Sequence, residues 1–237
     1  MEKEDFYRMT DMRKQILVLF LFLGSLLTAY GQKNEVKTYL QFGHNTVHGF
    51  YGGMAGFYTR NFTDRLRLTG GLNLSTKNPQ AFGGVSADVS YRFPVRKFNL
   101  YLSNRVVYNY YGVSEMSEML NRISATWESR YFQLTLGNSF LGYFSHGSGA
   151  FEPVTLTLGM ALHIRPSESW WNVGAFIRNY DDFIYENYNI MYGLDGRIDV
   201  AENWRLFSEF TARPAGNLNQ LTIKYETFLK IGARYIW

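Results

Sequence analysis

Three residues of one short stretch, FSHGSGAFEP, have the side chains that acyl-ester hydrolysis needs. A serine hydroxyl attacks a carbonyl when an imidazole takes its proton and a carboxylate orients that imidazole. Ser148 would be the nucleophile, His146 the general base and Glu152 the orienting group. Because Gly147 and Gly149 also make this stretch typical of a flexible turn, we favour no catalytic residue.

Other groups of polar residues could bind a metal ion, but each lacks part of a ligand set. His44 and His48 have no carboxylate beside them, and we interpret them as solvent-exposed loop residues. Asp181, Asp182 and Glu186 could hold a weak calcium ion or bridge lipopolysaccharide, although a solvated acidic loop is the simpler interpretation. We therefore expect no metal and no cofactor.

The elements that must position these residues are β-strands. Apolar and polar side chains alternate throughout the chain from Glu35 onward, and we find no helical period. In VTLTLGMALHIR, for example, one face carries only apolar residues from Val154 to Ile164. This pattern predicts twelve strands, approximately at 35–43, 50–60, 65–75, 80–93, 98–111, 118–128, 131–145, 154–165, 170–180, 188–200, 204–213 and 221–237.

The charged residues of these strands lie opposite the apolar side chains, as they do in a barrel whose outer face meets lipid. Short links alternate with longer ones, which also favours an up-and-down barrel. We therefore predict an all-β fold, a closed antiparallel transmembrane β-barrel of about twelve strands, with ten as the alternative. Its lumen would be mainly basic, with side chains from Lys37, Arg65, Arg67, Arg92, Arg105, Arg122, Arg165, Arg178, Arg197, Arg205, Arg213, Lys224, Lys230 and Arg234.

The start of the chain resembles an export signal. Arg13 and Lys14 precede an apolar run from Ile16 to Leu27, and small residues follow it. We predict that residues 1–31 form an N-terminal extension and cleaved signal peptide, and that residues 32–237 form the barrel. The alternative is an uncleaved anchor, although the run is shorter than the roughly 20 residues of a spanning helix.

Composition narrows the class of protein further. The chain has 237 residues, no cysteine and 18% aromatic residues, so disulfides and thiolate metal sites are excluded. Its formal net charge of +4 comes without a basic cluster or a recognition motif, and we expect no nucleic-acid partner.

The aromatic residues indicate where the barrel meets the membrane surfaces. The predicted strands bring all five tryptophans to one rim, where amphipathic rings anchor a membrane protein. The anchors would be Trp127, Trp170, Trp171, Trp204, Tyr235 and Trp237. The final strand, with Tyr235 and Trp237 on its lipid-facing side, resembles the C-terminal signal of bacterial outer-membrane β-barrel proteins, although that family usually ends on Phe. The resemblance implies the bacterial outer membrane as location, periplasmic termini, surrounding lipid and lipopolysaccharide, and contact with the barrel-assembly machinery during biogenesis.

Function follows less directly from the sequence. A basic lumen would favour anions if it holds water, whereas the same arginines could pair with carboxylates into a closed network. In size and charge the chain is similar to small porin-like barrels that pass acidic sugars. We expect a narrow passive channel for small anionic solutes.

One alternative is a lipid acyl hydrolase, since the His-x-Ser element resembles that of outer-membrane phospholipase A and lipid A deacylases. The other is an accessory barrel of a larger outer-membrane complex.

Overall fold

A computed structural model of the chain describes residues 34–46, 49–76, 82–112, 115–145, 148–183, 190–215 and 224–237, with the side chains of Phe82, Ala215, Lys224 and Tyr225 left out of the description. Thirteen strands lie within these ranges. They are β1 (Glu35–Asn45), β2 (Gly49–Asn61), β3 (Leu66–Ser75), β4 (Phe82–Val95), β5 (Phe98–Tyr111), β6 (Met116–Glu128), β7 (Phe132–Ser145), β8 (Ser148–Phe151), β9 (Thr155–His163), β10 (Trp171–Arg178), β11 (Met191–Ala201), β12 (Trp204–Ala215) and β13 (Lys224–Ile236).

Twelve of these strands form a closed antiparallel ring. Each of them pairs with its neighbours, and β1 pairs with β13 from Glu35↔Ile236 to Asn45↔Glu226. The short strand β8 pairs with the end of β7, above the part of β7 that pairs with β9, so β8 and β9 lie along the same neighbour. The prediction of a closed barrel of about twelve strands is confirmed.

The side chains alternate between the lumen and an apolar exterior. Every one of the twelve ring strands exposes large apolar residues on the outside, such as Leu40 on β1, Leu102 on β5 and Leu194 on β11. Apolar exposure on this scale would be unstable in water, and it matches the lipid-facing band of transmembrane barrels. Among the described residues, no helix is long and apolar enough to cross a membrane.

Both ends of the described chain lie at the same rim of the barrel, which we call the terminal rim. Asn34 and Trp237 exchange backbone hydrogen bonds there, and the short turns at 62–65, 96–97, 129–131 and 202–203 lie at the same end of their strands. We call the opposite end the loop rim. The lumen in the loop-rim half is packed with side chains, including Tyr51, Met191 and Phe228.

Candidate functional site: a segment that crosses the lumen

Strand β10 ends because a side chain takes over its hydrogen bonds. Arg178 is its last residue, and Asn179 then binds the backbone of β9 with its amide group: Oδ1 accepts from the amide N–H of Leu158 at 2.9 Å, and Nδ2 donates to the carbonyl of Leu156 at 2.7 Å. After a single β-bridge at Tyr180, the chain leaves the wall and turns inward. We call residues 179–183 the inserted segment; Asp181 and Phe183 within it are buried.

Two adjacent carboxylates attach the inserted segment to the wall. Asp181 Oδ1 lies 2.5 Å from Lys230 Nζ on β13 and 3.5 Å from Arg178 Nη2 on β10. Asp182 contacts Arg105 Nη1 on β5 at 3.3 Å and Lys37 Nζ on β1 at 3.5 Å. Each carboxylate therefore neutralises basic groups that the alternation placed inside the barrel.

The carbonyl groups of the inserted segment also reach the wall. Arg122 Nη1 on β6 donates to the carbonyl of Asp181 at 3.4 Å, and Asn109 Nδ2 on β5 donates to that of Phe183 at 3.0 Å. Strands β6 and β13 are six places apart in the ring of twelve, on opposite walls. Because Asp181 contacts both, the segment spans the lumen.

An aromatic ring closes the lumen beside these contacts. Phe183 is only 3% exposed, and it packs in a cluster of buried apolar side chains on β1, β2, β5, β6 and β7. Its ring centroid lies 5.5 Å from that of Phe57. Gly84 leaves the space for it, since a Cβ added at Gly84 would lie 3.1 Å from the Phe183 ring and closer still to Asn109. The lumen at this level is filled.

A polar vestibule lies between the inserted segment and the terminal rim. It has a volume of about 530 Å³, and its wall carries hydroxyl pairs that bridge neighbouring strands, such as Ser103 with Ser124 at 3.0 Å and Thr126 with Thr135 at 3.0 Å. A second lobe of about 240 Å³ extends toward His163, whose Nε2 lies 3.3 Å from Asp195. Side chains of this kind favour water and polar solutes over apolar ligands.

Within the described residues, seven of the fourteen predicted lumen cations pair with carboxylates inside the barrel. Arg178 bonds Glu209 at 2.6 Å, and Arg234 lies 3.0 Å from Glu35. Further ion pairs join Arg205 to Asp199 and Arg213 to Glu226, and Arg197 donates to the carbonyl of Ser167. The structure thus realises much of the closed network that the sequence left as an alternative.

The remaining predicted cations differ in position. Arg67 lines the vestibule with its guanidinium 5.6 Å from the Tyr101 ring centroid, and Arg92 occupies a lumen-facing position on β4. Arg65 and Arg165 lie in exposed turns at the terminal rim instead. Arg165 stacks 3.8 Å from the ring centroid of Trp171, an interfacial rather than a lumen position. The side chain of Lys224 is outside the described residues.

For Asp181 and Asp182 the interpretation as part of a solvated acidic loop was wrong. Asp181 and Asp182 are inside the barrel rather than in a solvated outer loop, because unpaired lumen cations draw carboxylates inward. Two signals in the sequence favour this arrangement: a basic excess on the inward faces, and the apolar residue Phe183 directly after the two acids. Glu186 lies outside the described residues.

The hydrolase trio stays a prediction. Ser148 is exposed, and its hydroxyl donates to the carbonyl of Ser145 at 2.8 Å. Glu152 accepts a hydrogen bond from the Tyr143 hydroxyl at 3.3 Å. His146 lies outside the described residues, as does His48 of the other histidine pair. Within the described ranges, no three histidine or acidic side chains form a group that could hold a metal ion.

The predicted anchors all lie at the terminal rim. Trp127 is near the end of β6, Trp170 and Trp171 are at the start of β10, and Trp204 starts β12. Ring contacts join three of these residues near the end of β13: the centroids of Trp204 and Tyr235 are 4.8 Å apart, and those of Tyr235 and Trp237 are 5.5 Å apart. This belt has the position and composition of an interfacial aromatic girdle.

Comparisons with solved structures agree with this architecture. The KdgM porin, solved in complex with disordered oligogalacturonate, has a TM-score of 0.56 at 11% identity, over 85% of this chain and 98% of that one. The COG4313 outer-membrane channel from Pseudomonas putida F1 has a TM-score of 0.55 at 10% identity, over 88% and 96% of the two chains. The translocator domain of the autotransporter NalP from Neisseria meningitidis gives 0.51 at 11% identity, over 98% and 97%.

Sequence comparison adds no closer relative. No protein-family model matches this chain, and no curated protein matches it in sequence. At identities of 10–11%, the structural similarity describes architecture alone. The chain has the fold of the bacterial outer-membrane, porin-like β-barrels.

Proposed function

We propose that this protein is a narrow passive channel of the bacterial outer membrane whose lumen is closed by the inserted segment. The observation that carries the proposal is the way this segment is attached. Asn179 and Tyr180 still pair with the wall, but residues 181–183 are joined to it only by side-chain ion pairs and single hydrogen bonds, whereas the wall strands are joined by continuous backbone ladders. Such contacts can be exchanged for water one by one, so the segment can move while the barrel remains intact.

The fold supports a channel over a purely structural barrel. Two proteins with similar architecture are named as a porin and as an outer-membrane channel. A vestibule of about 530 Å³, lined by hydroxyls and charged groups, already extends from the terminal rim to the inserted segment. Displacing residues 181–183 would extend this polar space toward the loop rim.

The preference for anions rests on the charges along this path. Nine basic and seven acidic side chains line the two lobes of the vestibule. Asp181 and Asp182 are two of those seven, and they move with the inserted segment. Opening would therefore leave nine basic groups facing five acidic ones, a field that attracts anions and repels cations.

Conductance and ion preference test the proposal together. The refolded protein should produce discrete conductance steps in planar lipid bilayers. In a KCl gradient the reversal potential should have the sign of chloride preference. Protein denatured before addition is the control for non-specific leakage. Folded protein that never conducts would contradict the channel, and a reversal potential of the opposite sign would contradict the anion preference alone.

Location and orientation need a separate experiment. We propose that the terminal rim faces the periplasm and the loop rim faces the outside of the cell. The chain has no cysteine, so single cysteines can be labelled without background. On intact cells, a membrane-impermeant thiol reagent should label Ser148→Cys at the loop rim and not Lys97→Cys in a terminal-rim turn. Labelling of Lys97→Cys alone would reverse the orientation.

A further inference from the structure

Two arginines face each other on neighbouring strands at the inner end of the vestibule. Arg105 on β5 and Arg122 on β6 are direct cross-strand partners, and both line the cavity. Like charges in this position repel each other unless other groups compensate them. Arg105 is compensated, because Asp88 lies 3.4 Å and Asp182 lies 3.3 Å from its guanidinium.

Arg122 has no ion pair of its own among the described residues, and the two carboxylates that pair with Arg105 act on it only from a greater distance. Although Arg122 is only 6% exposed, its contacts are one hydrogen bond to the carbonyl of Asp181 at 3.4 Å and the face of Tyr180, whose ring centroid is 4.3 Å away. A guanidinium carries five N–H donors, and burial of its charge without an anion is costly. The cavity beside it is the side from which an anion could approach.

Hydroxyl groups form the next level of the wall toward the terminal rim. Ser90, Ser103 and Ser124 are cross-strand neighbours on β4, β5 and β6, and all three line the same cavity. Ser103 and Ser124 share one hydrogen bond, which leaves one of their two hydroxyl protons to donate to an anionic oxygen. A planar guanidinium next to such donors matches the geometry of a carboxylate, sulfate or phosphate group better than that of a spherical halide.

We infer that Arg122, together with Arg105, Ser103 and Ser124, binds one oxyanion group of a small dissolved solute. The inference deepens the proposed function, because it names the chemical class of solute at the closed end of the channel. The site lies inside the barrel, away from the lipid-facing surface, so its ligand enters through the vestibule. A cavity of about 530 Å³ has room for a small organic acid or phosphate ester around that group.

Direct binding measurements test the site independently of conduction. We would titrate the folded full-length protein in a zwitterionic detergent with sodium sulfate by calorimetry, with sodium chloride at equal ionic strength as the reference. Saturable sulfate binding at one site per barrel is expected. Arg122→Gln should weaken it about 10- to 100-fold, the loss typical of a charge-assisted hydrogen-bonded pair. Arg122→Lys, which keeps the charge, should bind with intermediate affinity.

Arg67→Gln is the matched control. It removes one positive charge from the same vestibule, at the Tyr101 ring rather than at the proposed site. If Arg67→Gln and Arg122→Gln weaken sulfate binding equally, the effect is diffuse electrostatics and the inference is wrong. Folded wild-type protein without saturable binding would also overturn it. Sulfate binding by a barrel that never conducts would support the oxyanion site and contradict the channel. Conduction without saturable sulfate binding would support the channel and contradict the oxyanion site.

Discussion

Replacing Asp181 and Asp182 together by asparagine should open the channel. Asparagine keeps the shape of each side chain but removes the charge that faces Lys230 and Arg178 on one side and Lys37 and Arg105 on the other. A hydrogen bond to a charged group contributes about 1.5–3 kcal/mol, so the two substitutions together should destabilise the closed state by at least about 3 kcal/mol. The ratio of open to closed channels should then rise about 100-fold.

The barrel itself should remain folded in this variant. Lys230 keeps Glu209 at 3.5 Å, and the hydrogen bonds to the carbonyls of Asp181 and Phe183 do not depend on the carboxylates. Single-channel recordings in planar bilayers would measure the open fraction. Asp199→Asn is the control, because it removes a carboxylate that pairs with Arg205 on the wall and does not contact the inserted segment. An open fraction equal to that of the wild type, in protein shown to be folded, would refute the role of the inserted segment as the closing element.

Three further substitutions test other parts of the structure. Gly84→Val places a branched side chain where the buried ring of the inserted segment lies, and it should raise conductance in bilayers; unchanged conductance would mean that the ring does not need this space. Leu194→Arg, on the lipid-facing side of β11 and well inside the strand, should lower the free energy of unfolding in vesicles by about 2–4 kcal/mol, whereas Val200→Arg near the terminal rim should lower it by at most about 1 kcal/mol. Equal costs would contradict the assigned membrane depth. Arg213→Met removes the guanidinium that pairs with the buried Glu226 and should destabilise the barrel by about 3–5 kcal/mol in the same unfolding assay. A loss of stability below about 1 kcal/mol would contradict this expectation.

The strands that form the wall of the barrel could be predicted from sequence because the direction of each side chain depends only on its position in the alternating pattern. A period of two decides for each residue, such as Leu102 or Ser103, whether it faces lipid or the lumen, and no distant information is needed. The positions of the tryptophans followed from the same rule together with strand order. Predicted strand ends differ from the observed ones by a few residues, and the prediction placed β8 in the loop between 145 and 154.

The inserted segment could not be predicted in the same way. Its position depends on contacts between residues far apart in sequence, such as Asp182 with Lys37, 145 residues away, and with Arg105, 77 residues away. Alternation says nothing about a chain that leaves the sheet, and an acidic stretch at the end of a strand has the same composition whether it lies in water or in a basic lumen. The balance of inward charges is the one signal that favours the second arrangement.

The span of the inserted segment across the lumen constrains the order of events during barrel assembly. Asp181 contacts side chains of both β6 and β13, and these strands approach each other only when the sheet has curled into a cylinder. The contacts across the lumen must therefore form late, after or together with the pairing of β1 and β13 that completes the ring. An open, half-assembled sheet would still expose its basic inner face to water. That face would gain the carboxylates of Asp181 and Asp182 as partners only when the ring closes.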